Sequence, residues 1–477
     1  MNLTQIRGFY KWEKVIYLQI MSEQLDEEKK DYKAARELLG FIEKSPSPFH
    51  VIKNLEDELL KASFVKLEEG KEWKLECGGK YFVARNSSSI ISFALPHSKD
   101  FEGFMLTASH SDSPSFKIKE NPCIKSEGKY IKLNVEKYGG MLCAPWFDRP
   151  LSVAGRIICK AGEDGGKITL RQHLVNADKD LLMIPNLAIH MNRDANEGHK
   201  FNVQNELLPI FCGLGEEAAK GKDGEDSDPF LNEIASFAGV SQKDIVSADL
   251  FLYNREKGSF WGKDGEFIAS PKIDDLECVW TSFRGFLEAV KDGPCTKNIC
   301  VHCVFDNEEV GSLTRQGAAS TFLYDTLQRI NIALGKDASN YYRALAKSFM
   351  VSADNAHAVH PNYADKADPV NRPFVNGGPV IKFNAAQKYT SDAVSAAFFE
   401  CVCKKAGVPF QVFTNRSDMA GGSTLGNISA ANVSVTCVDI GLAQWAMHSP
   451  YESAGSMDVD YMIKATREFY LTSFELE

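Results

Sequence analysis

Four apolar runs in this chain each end in a cluster of polar residues. They lie at residues 103–112, 299–309, 348–354 and 434–440. Near-continuous apolar runs of this length are typical of strands buried on both faces of a sheet. Helical patterns lie between these runs, at residues 275–290, 315–334 and 391–406. The alternation predicts an α/β domain whose parallel or mixed sheet is covered by helices.

The N-terminal part of the chain shows further patterns. Residues 23–62 have helical spacing with a break at the SPSP stretch of residues 45–48, and residues 80–85 and 90–95 alternate as strands do. Residues 1–22 contain an apolar patch broken by Lys11, Glu13 and Lys14, without a cleavage site. We interpret them as a leader that is either disordered or a start-site artefact.

The middle of the chain follows another plan. Residues 118–257 combine short strand-like pieces, turns and a charged loop rich in glycine. We therefore expect an inserted domain at 118–257 within a main domain formed by residues 23–117 and 258–477.

Composition narrows the possible partners and the compartment. The net charge is −10 over 477 residues, and the absence of a basic stripe argues against nucleic acid as a partner. No stretch reaches the length of a membrane span. The twelve cysteines follow no framework, which favours the reducing cytoplasm.

Cys300 and Cys303 form a CxxC motif within a predicted strand. Residues three apart on a strand face opposite sides of the sheet, so we interpret both cysteines as core residues.

The polar clusters bring together side chains that can bind metals. These residues are His110 and Asp112, Asp274 and Asp275, Glu308 and Glu309, Asp354, and His448. A lone histidine at a strand end is usually structural, and an acidic pair in a loop is usually solvated. However, ligands bind at the carboxyl ends of strands in α/β sheets, and several such clusters occur here in order. We therefore expect one shared site.

Two histidines and three or four carboxylates suit two divalent cations with one bridging carboxylate. Mixed nitrogen and oxygen donors favour Zn²⁺, with Co²⁺ or Mn²⁺ as substitutes. Such a pair of cations binds a hydroxide and polarises a carbonyl, and the reaction also needs a general base. The adjacent glutamates can supply one ligand and one base. In the HSD motif, Asp112 can hold the second ring nitrogen of His110.

Five motifs together resemble the aspartyl aminopeptidase family of dinuclear zinc metallopeptidases. They are HSDSP at 110–114, SPKIDD at 270–275, DNEEVGS at 306–312, SADNAHAVHPNY at 352–363 and MHS at 447–449. Further matching segments lie at 146–155, 184–190, 378–382 and 416–426. The resemblance runs from about residue 30 to the C-terminus.

The resemblance implies a fold and a metal site. The fold would be a three-layer α/β/α phosphorylase/hydrolase-like catalytic domain interrupted by a smaller β-rich dimerisation domain. His110 and Asp354 would hold one zinc, Glu309 and His448 the other, and Asp274 would bridge. Glu308 would be the general base that activates the bridging water, and Asp112 would orient His110. The resemblance also implies that His190 reaches into a neighbouring subunit's site and that subunits assemble into dodecamers.

The substrate would be the N-terminus of a peptide. The family name points to N-terminal Asp or Glu, and a buried cation would have to bind the acidic side chain. By position, the substrate-binding candidates are Lys382, Tyr389, Arg416 and His357. Three alternatives remain open: an aminopeptidase that prefers neutral N-terminal residues, a related metal-dependent deacylase or carboxypeptidase, and an assembly protein with structural metals.

Overall fold

The computed structural model describes residues 32–215, 228–293, 296–422 and 424–476. The interpretation of residues 1–22 as a leader falls outside the described residues. The helices are α1 (Lys33–Glu43), α2 (Pro48–Lys61), α3 (Val203–Glu206), α4 (Pro229–Ala238), α5 (Ile273–Ala289), α6 (Phe322–Ala333), α7 (Ala338–Ala346), α8 (Ala393–Ala406), α9 (Leu425–Ala430) and α10 (Asp458–Tyr470). Short 3₁₀ turns lie at Ala144–Trp146, Gln242–Asp244, Glu308–Val310 and Pro361–Lys366.

The strands form three sheets. They are β1 (Val65–Leu67), β2 (Lys80–Arg85), β3 (Ser89–Ala94), β4 (Phe104–His110), β5 (Ser115–Ser126), β6 (Tyr130–Tyr138), β7 (Leu151–Asp164), β8 (Lys167–Asn176), β9 (Ile210–Gly213), β10 (Ile245–Asn254), β11 (Ser259–Trp261), β12 (Phe267–Ser270), β13 (Ile299–Phe305), β14 (Phe349–Ala353), β15 (Ala356–His357), β16 (Val380–Phe383), β17 (Gln411–Thr414), β18 (Thr436–Gly441), β19 (Ala443–Trp445) and β20 (Glu452–Gly455).

The largest sheet has nine strands in the order β1-β2-β3-β13-β4-β14-β18-β16-β17. Its centre, β13-β4-β14-β18, is parallel. The register pairs Phe305 of β13 with His110 of β4, so these strands end at the same edge. This is why polar residues far apart in sequence come together.

Helices cover both faces of this sheet. Leu38 of α1, Phe283 of α5 and Met462 of α10 belong to the apolar core on one face, together with residues of α2 and α8. On the other face, α6, α7 and α9 contribute Phe322, Tyr341 and Leu425. This arrangement confirms the α/β fold class with three layers.

Cys300 and Cys303 illustrate how β13 separates these two cores. Both are buried, Cys300 in the core that contains α5 and Cys303 in the core that contains α6. Their interpretation as core residues on opposite faces of a strand is confirmed.

A second sheet contains six strands in the order β8-β7-β10-β5-β6-β9. Its core packs Phe116, Val153 and Leu252 against Phe230 and Ile234 of α4. The sheet is built from residues 115–254, close to the predicted insertion at 118–257; the domain boundaries and the dimerisation role stay predictions. The third sheet has the order β11-β12-β20-β19-β15 and combines residues 259–270 with residues 356–357 and 443–455.

Local chemistry explains several helix boundaries. Asp392 accepts a hydrogen bond from the Ser395 N–H and completes a capping box at the start of α8, while Gly407 ends that helix with φ +67°. The helix predicted at 315–334 begins instead at Phe322. A tight turn precedes it, in which a Cβ on Gly317 would lie 2.2 Å from the Ser312 carbonyl oxygen. No described helix is both long and apolar enough to cross a bilayer.

Candidate metal centre

The predicted metal-binding side chains lie together at the carboxyl edge of the parallel strands. His110 is the last residue of β4, and Glu308 and Glu309 form the 3₁₀ turn after β13. Asp354 follows β14, Asp274 lies in the first turn of α5, and His448 follows β19. Five segments of chain therefore converge on one place.

Asp274 occupies the centre of this group. Its Oδ1 lies 3.5 Å from Nε2 of His110, and its Oδ2 lies 3.3 Å from Nε2 of His448. One carboxylate therefore faces a different histidine with each oxygen. This is the arrangement that a bridging ligand between two cations requires.

The remaining donors group around the two histidines. His110 Nε2 lies 3.9 Å from Asp354 Oδ1, and His448 Nε2 lies 3.5 Å from Glu309 Oε1. Three sets of side chains can bring donor atoms within 4.8 Å of one another. They are His110 with Asp274, Asp275 and Asp354; His110 with Glu308 and Glu309; and Asp274 with Glu309 and His448.

The donors fit zinc in spacing and chemistry. In a tetrahedral zinc site, nitrogen and oxygen donors about 2.0–2.1 Å from the cation lie roughly 3.3 Å apart, which matches the contacts of Asp274. Its Oδ1 and Glu309 Oε1 are buried and accept no hydrogen bond from any described residue. Buried oxygens without a donor are costly, and a cation would satisfy them.

Electrostatics favour a cation at the same place. Burial, with Asp274 nearby, raises the pKa of Glu309 well above its usual value. Burial alone would lower the pKa of His448, but Asp274 and Glu309 outweigh it and raise that pKa to about 10. In the same way, burial opposes protonation of His110, but Asp275, Asp112 and Asp274 raise its pKa. Carboxyl and imidazole groups this close therefore share protons, and metal cations can displace those protons.

Asp112 connects His110 to the glutamate turn. Nδ1 of His110 lies 3.0 Å from the Asp112 backbone oxygen and 3.4 Å from its Oδ1. The Asp112 carboxylate also accepts hydrogen bonds from the backbone N–H groups of Glu308 and Glu309, at 3.1 and 3.2 Å. The fully buried Asp112 therefore holds both a histidine and the two glutamates in place.

Glu308 has different surroundings from Glu309. No described residue donates a hydrogen bond to its carboxylate, and the side chain is only partly buried. Burial, together with Asp354 and Asp112, raises its pKa to about 8, although His110 opposes the shift. A carboxyl group with a pKa in this range can both take up and release a proton near neutral pH.

A buried lysine lies beside the metal-binding group. Lys382 Nζ donates to the Asn355 carbonyl oxygen at 2.8 Å and lies 3.9 Å from Asp354 Oδ2. It also faces the Tyr389 ring, 5.5 Å from the centroid. Burial lowers the pKa of Lys382, but Asp354 and Tyr389 outweigh that effect and raise it. The amine is therefore a permanent cation at this position.

The other substrate-binding candidates occupy a neighbouring cavity of about 310 Å³. His357 and Arg416 contribute to its lining, and His357 packs its ring edge against Phe413. Arg416 is paired with Asp418 at 2.7 Å. His190, in contrast, lies in an exposed turn of residues 189–192 and is in none of the metal-binding sets. Within one chain, the structure does not bring His190 to the site.

Sequence reasoning missed three contributors from the end of β6. Tyr138 donates a hydrogen bond to Asp112 Oδ2 at 2.8 Å, and the Gly140 carbonyl oxygen lies 2.5 Å from Nδ1 of His448. Gly139 packs on Glu309, where a Cβ would lie 3.1 Å from the Glu309 Cβ. Their only sequence signal is a Tyr-Gly-Gly that closes a strand. None of these residue types indicates metal chemistry.

Sequence reasoning also missed Glu452. This glutamate accepts backbone hydrogen bonds from both Asp274 and His448. Its signal in the sequence is an acid four residues after His448, at the start of a short run of small residues.

Comparisons with known proteins agree over nearly the whole chain. A family model described as aminopeptidase I zinc metalloprotease (M18) matches residues 41–470. A probable M18 family aminopeptidase 2 of Clostridium acetobutylicum is 45% identical over 447 residues, which cover 93% of this chain and 99% of the relative.

Solved structures share the fold. A chain from the cryo-EM structure of the Ape4 and Nbr1 complex has a TM-score of 0.87 and 36% identity, covering 92% of this chain and 85% of that chain. A chain of the S. cerevisiae mApe1 dodecamer has a TM-score of 0.78 and 25% identity, covering 92% of this chain and 96% of that chain.

Proposed function

The chain belongs to the M18 family of zinc aminopeptidases, and from that membership we propose that it releases Asp or Glu from the N-termini of peptides. It is a metal-dependent hydrolase of peptide bonds. The observation that carries the proposed mechanism is the position of Asp274, whose two oxygens face His110 and His448 separately. It supports two cations in each subunit, with Asp274 as the shared ligand.

We assign the remaining ligands by their neighbours. His110 and Asp354 would complete one site, and Glu309 and His448 the other. These residues would hold zinc, whose Lewis acidity would polarise the substrate carbonyl and lower the pKa of the attacking water, and Co²⁺ or Mn²⁺ would substitute.

Side chains of the protein would transfer the proton and orient the reacting groups. Glu308 would accept a proton from the attacking water and return it to the leaving amine, so that its carboxylate ends the cycle unchanged. Asp112 holds the Glu308 backbone and His110 in fixed relative positions. His190 would enter from a neighbouring subunit to stabilise the charge that develops on the carbonyl oxygen.

The buried cation supports an acidic substrate. Lys382 is 3% exposed and lies beside Asp354, where it could bind the carboxylate of an N-terminal Asp or Glu side chain. Tyr389 would complete that contact, while His357 and Arg416 would line the path to it. The alternative is a preference for neutral N-terminal residues. It applies if Asp354 already neutralises the Lys382 charge, so that Lys382 does not bind a substrate carboxylate.

Substrate assays test this proposal directly. The purified protein is given Asp-, Glu-, Leu- and Lys-anilides, with and without chelator, and the N-acetylated Asp-anilide serves as the matched control. We expect Asp and Glu to be cleaved fastest, chelator to abolish turnover, and zinc or cobalt to restore it. Faster cleavage of Leu would overturn the acidic preference. Cleavage of the acetylated substrate would instead indicate a deacylase, and turnover that resists chelator would contradict the metal mechanism.

We also propose that the chain self-associates into a dodecamer through the domain at 118–257. The mApe1 structure of the same fold is a dodecamer. Exposed apolar side chains on the second sheet and the loops beside it support a contact surface there: Ile168, Leu170, Leu187, Ile189 and Met191. Large exposed apolar side chains that form a patch commonly mark a surface that contacts another protein.

A cytoplasmic location accords with the cysteines. No disulfide links any two of the described cysteines, as is usual in a reducing compartment.

A further inference from the structure

Glu452 is a buried glutamate to which the proposed mechanism gives no role. It begins β20 and is 1% exposed. It belongs to none of the metal-binding sets. Among the described residues no lysine or arginine forms an ion pair with it. A buried carboxylate without such a pair is costly, so its hydrogen bonds must explain why it is accommodated.

Those hydrogen bonds go to the backbone of two proposed metal ligands. Oε2 accepts from the Asp274 N–H at 3.0 Å. Oε1 accepts from the His448 N–H at 2.7 Å and from Nε2 of Gln444 at 3.2 Å. Both oxygens are therefore occupied by donors from the protein, and Glu452 is directed at the ligands' backbone and not at the cations.

Both backbone positions need such support. His448 has φ +67°, a left-handed conformation that is unfavourable for a residue with a Cβ. Asp274 has non-helical angles, φ −79° and ψ 109°, within the first turn of α5. Because Asp274 and His448 lie on segments distant in sequence, a single carboxylate that accepts from both fixes their separation.

Further hydrogen bonds connect Glu452 to the other proposed cation site. Gln444 Oε1 accepts from Asn355 Nδ2 at 2.7 Å. Asn355 follows the ligand Asp354 in the chain, and its carbonyl oxygen accepts from Lys382 at 2.8 Å. Glu452 thus begins a buried series of hydrogen bonds that connects the two proposed cation sites.

We propose that Glu452 is a positioning residue that holds Asp274 and His448 at the spacing needed to bind the cation they share. This inference rests on the proposed metal centre. Residues that orient metal ligands without touching the metal commonly change its affinity by about 10–100-fold when replaced.

The test is the zinc affinity of Glu452→Gln, measured by titrating metal-free protein with Zn²⁺ against a fluorescent chelator. The amide NH₂ would face a backbone N–H, so one of the two ligands loses its acceptor. We expect zinc binding at one site to weaken by about 10–100-fold, with the other site less affected.

Asp458→Asn is the matched control. Asp458 is also fully buried and also accepts two backbone N–H groups, from Asn376 and Gly378, at 2.5 and 2.8 Å. Neither of those residues is a proposed ligand. We therefore expect Asp458→Asn to lower the unfolding temperature of the metal-free protein about as much as Glu452→Gln, with wild-type zinc affinity.

A second variant keeps the test decisive if Glu452→Gln does not fold. Glu452→Asp retains the charge but is one methylene too short to reach both N–H groups, so its zinc affinity should also fall. Wild-type affinity in the folded Glu452 variants, or an equal loss in Asp458→Asn, would overturn the inference alone. Failure of the wild-type protein to bind two zinc ions would overturn the proposed metal centre as well.

Discussion

At the scale of single residues, Glu308 and Glu309 show how two adjacent identical side chains acquire different properties. The Glu309 side chain is buried; its Oε1 lies 3.5 Å from His448 Nε2 and accepts no hydrogen bond from any described residue. Glu308 lies across the turn, where burial raises its pKa to about 8 and no described residue donates to its carboxylate. The first environment suits a ligand and the second suits a base.

We therefore expect Glu308→Gln and Glu309→Gln to fail in different ways. Loss of a general base costs about 10²–10⁴-fold in turnover, so Glu308→Gln should lose kcat while it still binds two zinc ions. Glu309→Gln should lose zinc as well as activity. Elemental analysis and kcat, measured on the same preparations, check both.

The two variants are each other's control, because the change in chemistry is the same. Undiminished turnover in Glu308→Gln would contradict its assignment as the base. Full zinc content in Glu309→Gln would contradict its assignment as a ligand.

At the scale of elements, the end of β6 joins the second sheet to the metal centre. Tyr138 donates to Asp112, Gly139 packs on Glu309, and the Gly140 carbonyl contacts the His448 ring. Three consecutive residues therefore contact one residue of the HSD motif, one of the glutamate turn and one of the MHS motif. The second sheet supports the site of its own chain directly, in addition to any role in assembly.

Gly139→Ala tests this contact, with Gly128→Ala as the matched control. Both glycines have positive φ, +80° and +60°, but a Cβ on Gly128 meets nothing within 4 Å. A left-handed alanine costs roughly 1–2 kcal/mol at either position. We expect similar losses in the free energy of unfolding of the metal-free proteins, and a loss of zinc affinity and kcat only in Gly139→Ala.

Denaturant titration and zinc competition separate the two effects. If Gly139→Ala and Gly128→Ala had the same zinc affinity and the same kcat, the contact at the end of β6 would not position Glu309.

At the scale of the whole molecule, the exposed apolar residues around the second sheet concern assembly. Ile189 and Met191 flank His190 in the exposed turn of residues 189–192, and the exposed Leu187 lies just before it. If that turn docks on a neighbouring subunit, burial of these side chains would drive association and carry His190 with them.

Replacing Leu187, Ile189 and Met191 together by serine should therefore shift the protein to smaller species in analytical ultracentrifugation. Turnover should fall with zinc retained, because His190 no longer reaches a partner. Ile332→Ser with Tyr342→Ser is the control, since these large apolar residues are also exposed but lie on α6 and α7. An unchanged sedimentation coefficient in the triple variant would contradict the proposed surface.

Much of the main domain could be predicted because its signals are local. The apolar runs at 299–305 and 348–353 became β13 and β14 because such runs fit strands covered on both faces. The prediction that this helix begins at residue 315 was wrong, because the turn before α6 depends on a close contact between Gly317 and Ser312. The turn begins at Glu308 and Glu309, whose backbone N–H groups donate to Asp112 in the loop after β4, so its geometry depends on a distant part of the chain.

The sequence by itself determined the family, the α/β architecture and the residue types capable of binding zinc, since strand periodicity and ordered motifs are carried by neighbouring residues. Only the tertiary structure decided that Asp274 faces two histidines, that Glu308 and Glu309 differ, that Tyr138 donates to Asp112, and that Glu452 accepts from Asp274 and His448. The physical reason is the separation along the chain of the residues that interact. Spacing, burial and charge among groups hundreds of residues apart follow from how strands, turns and the second sheet pack together.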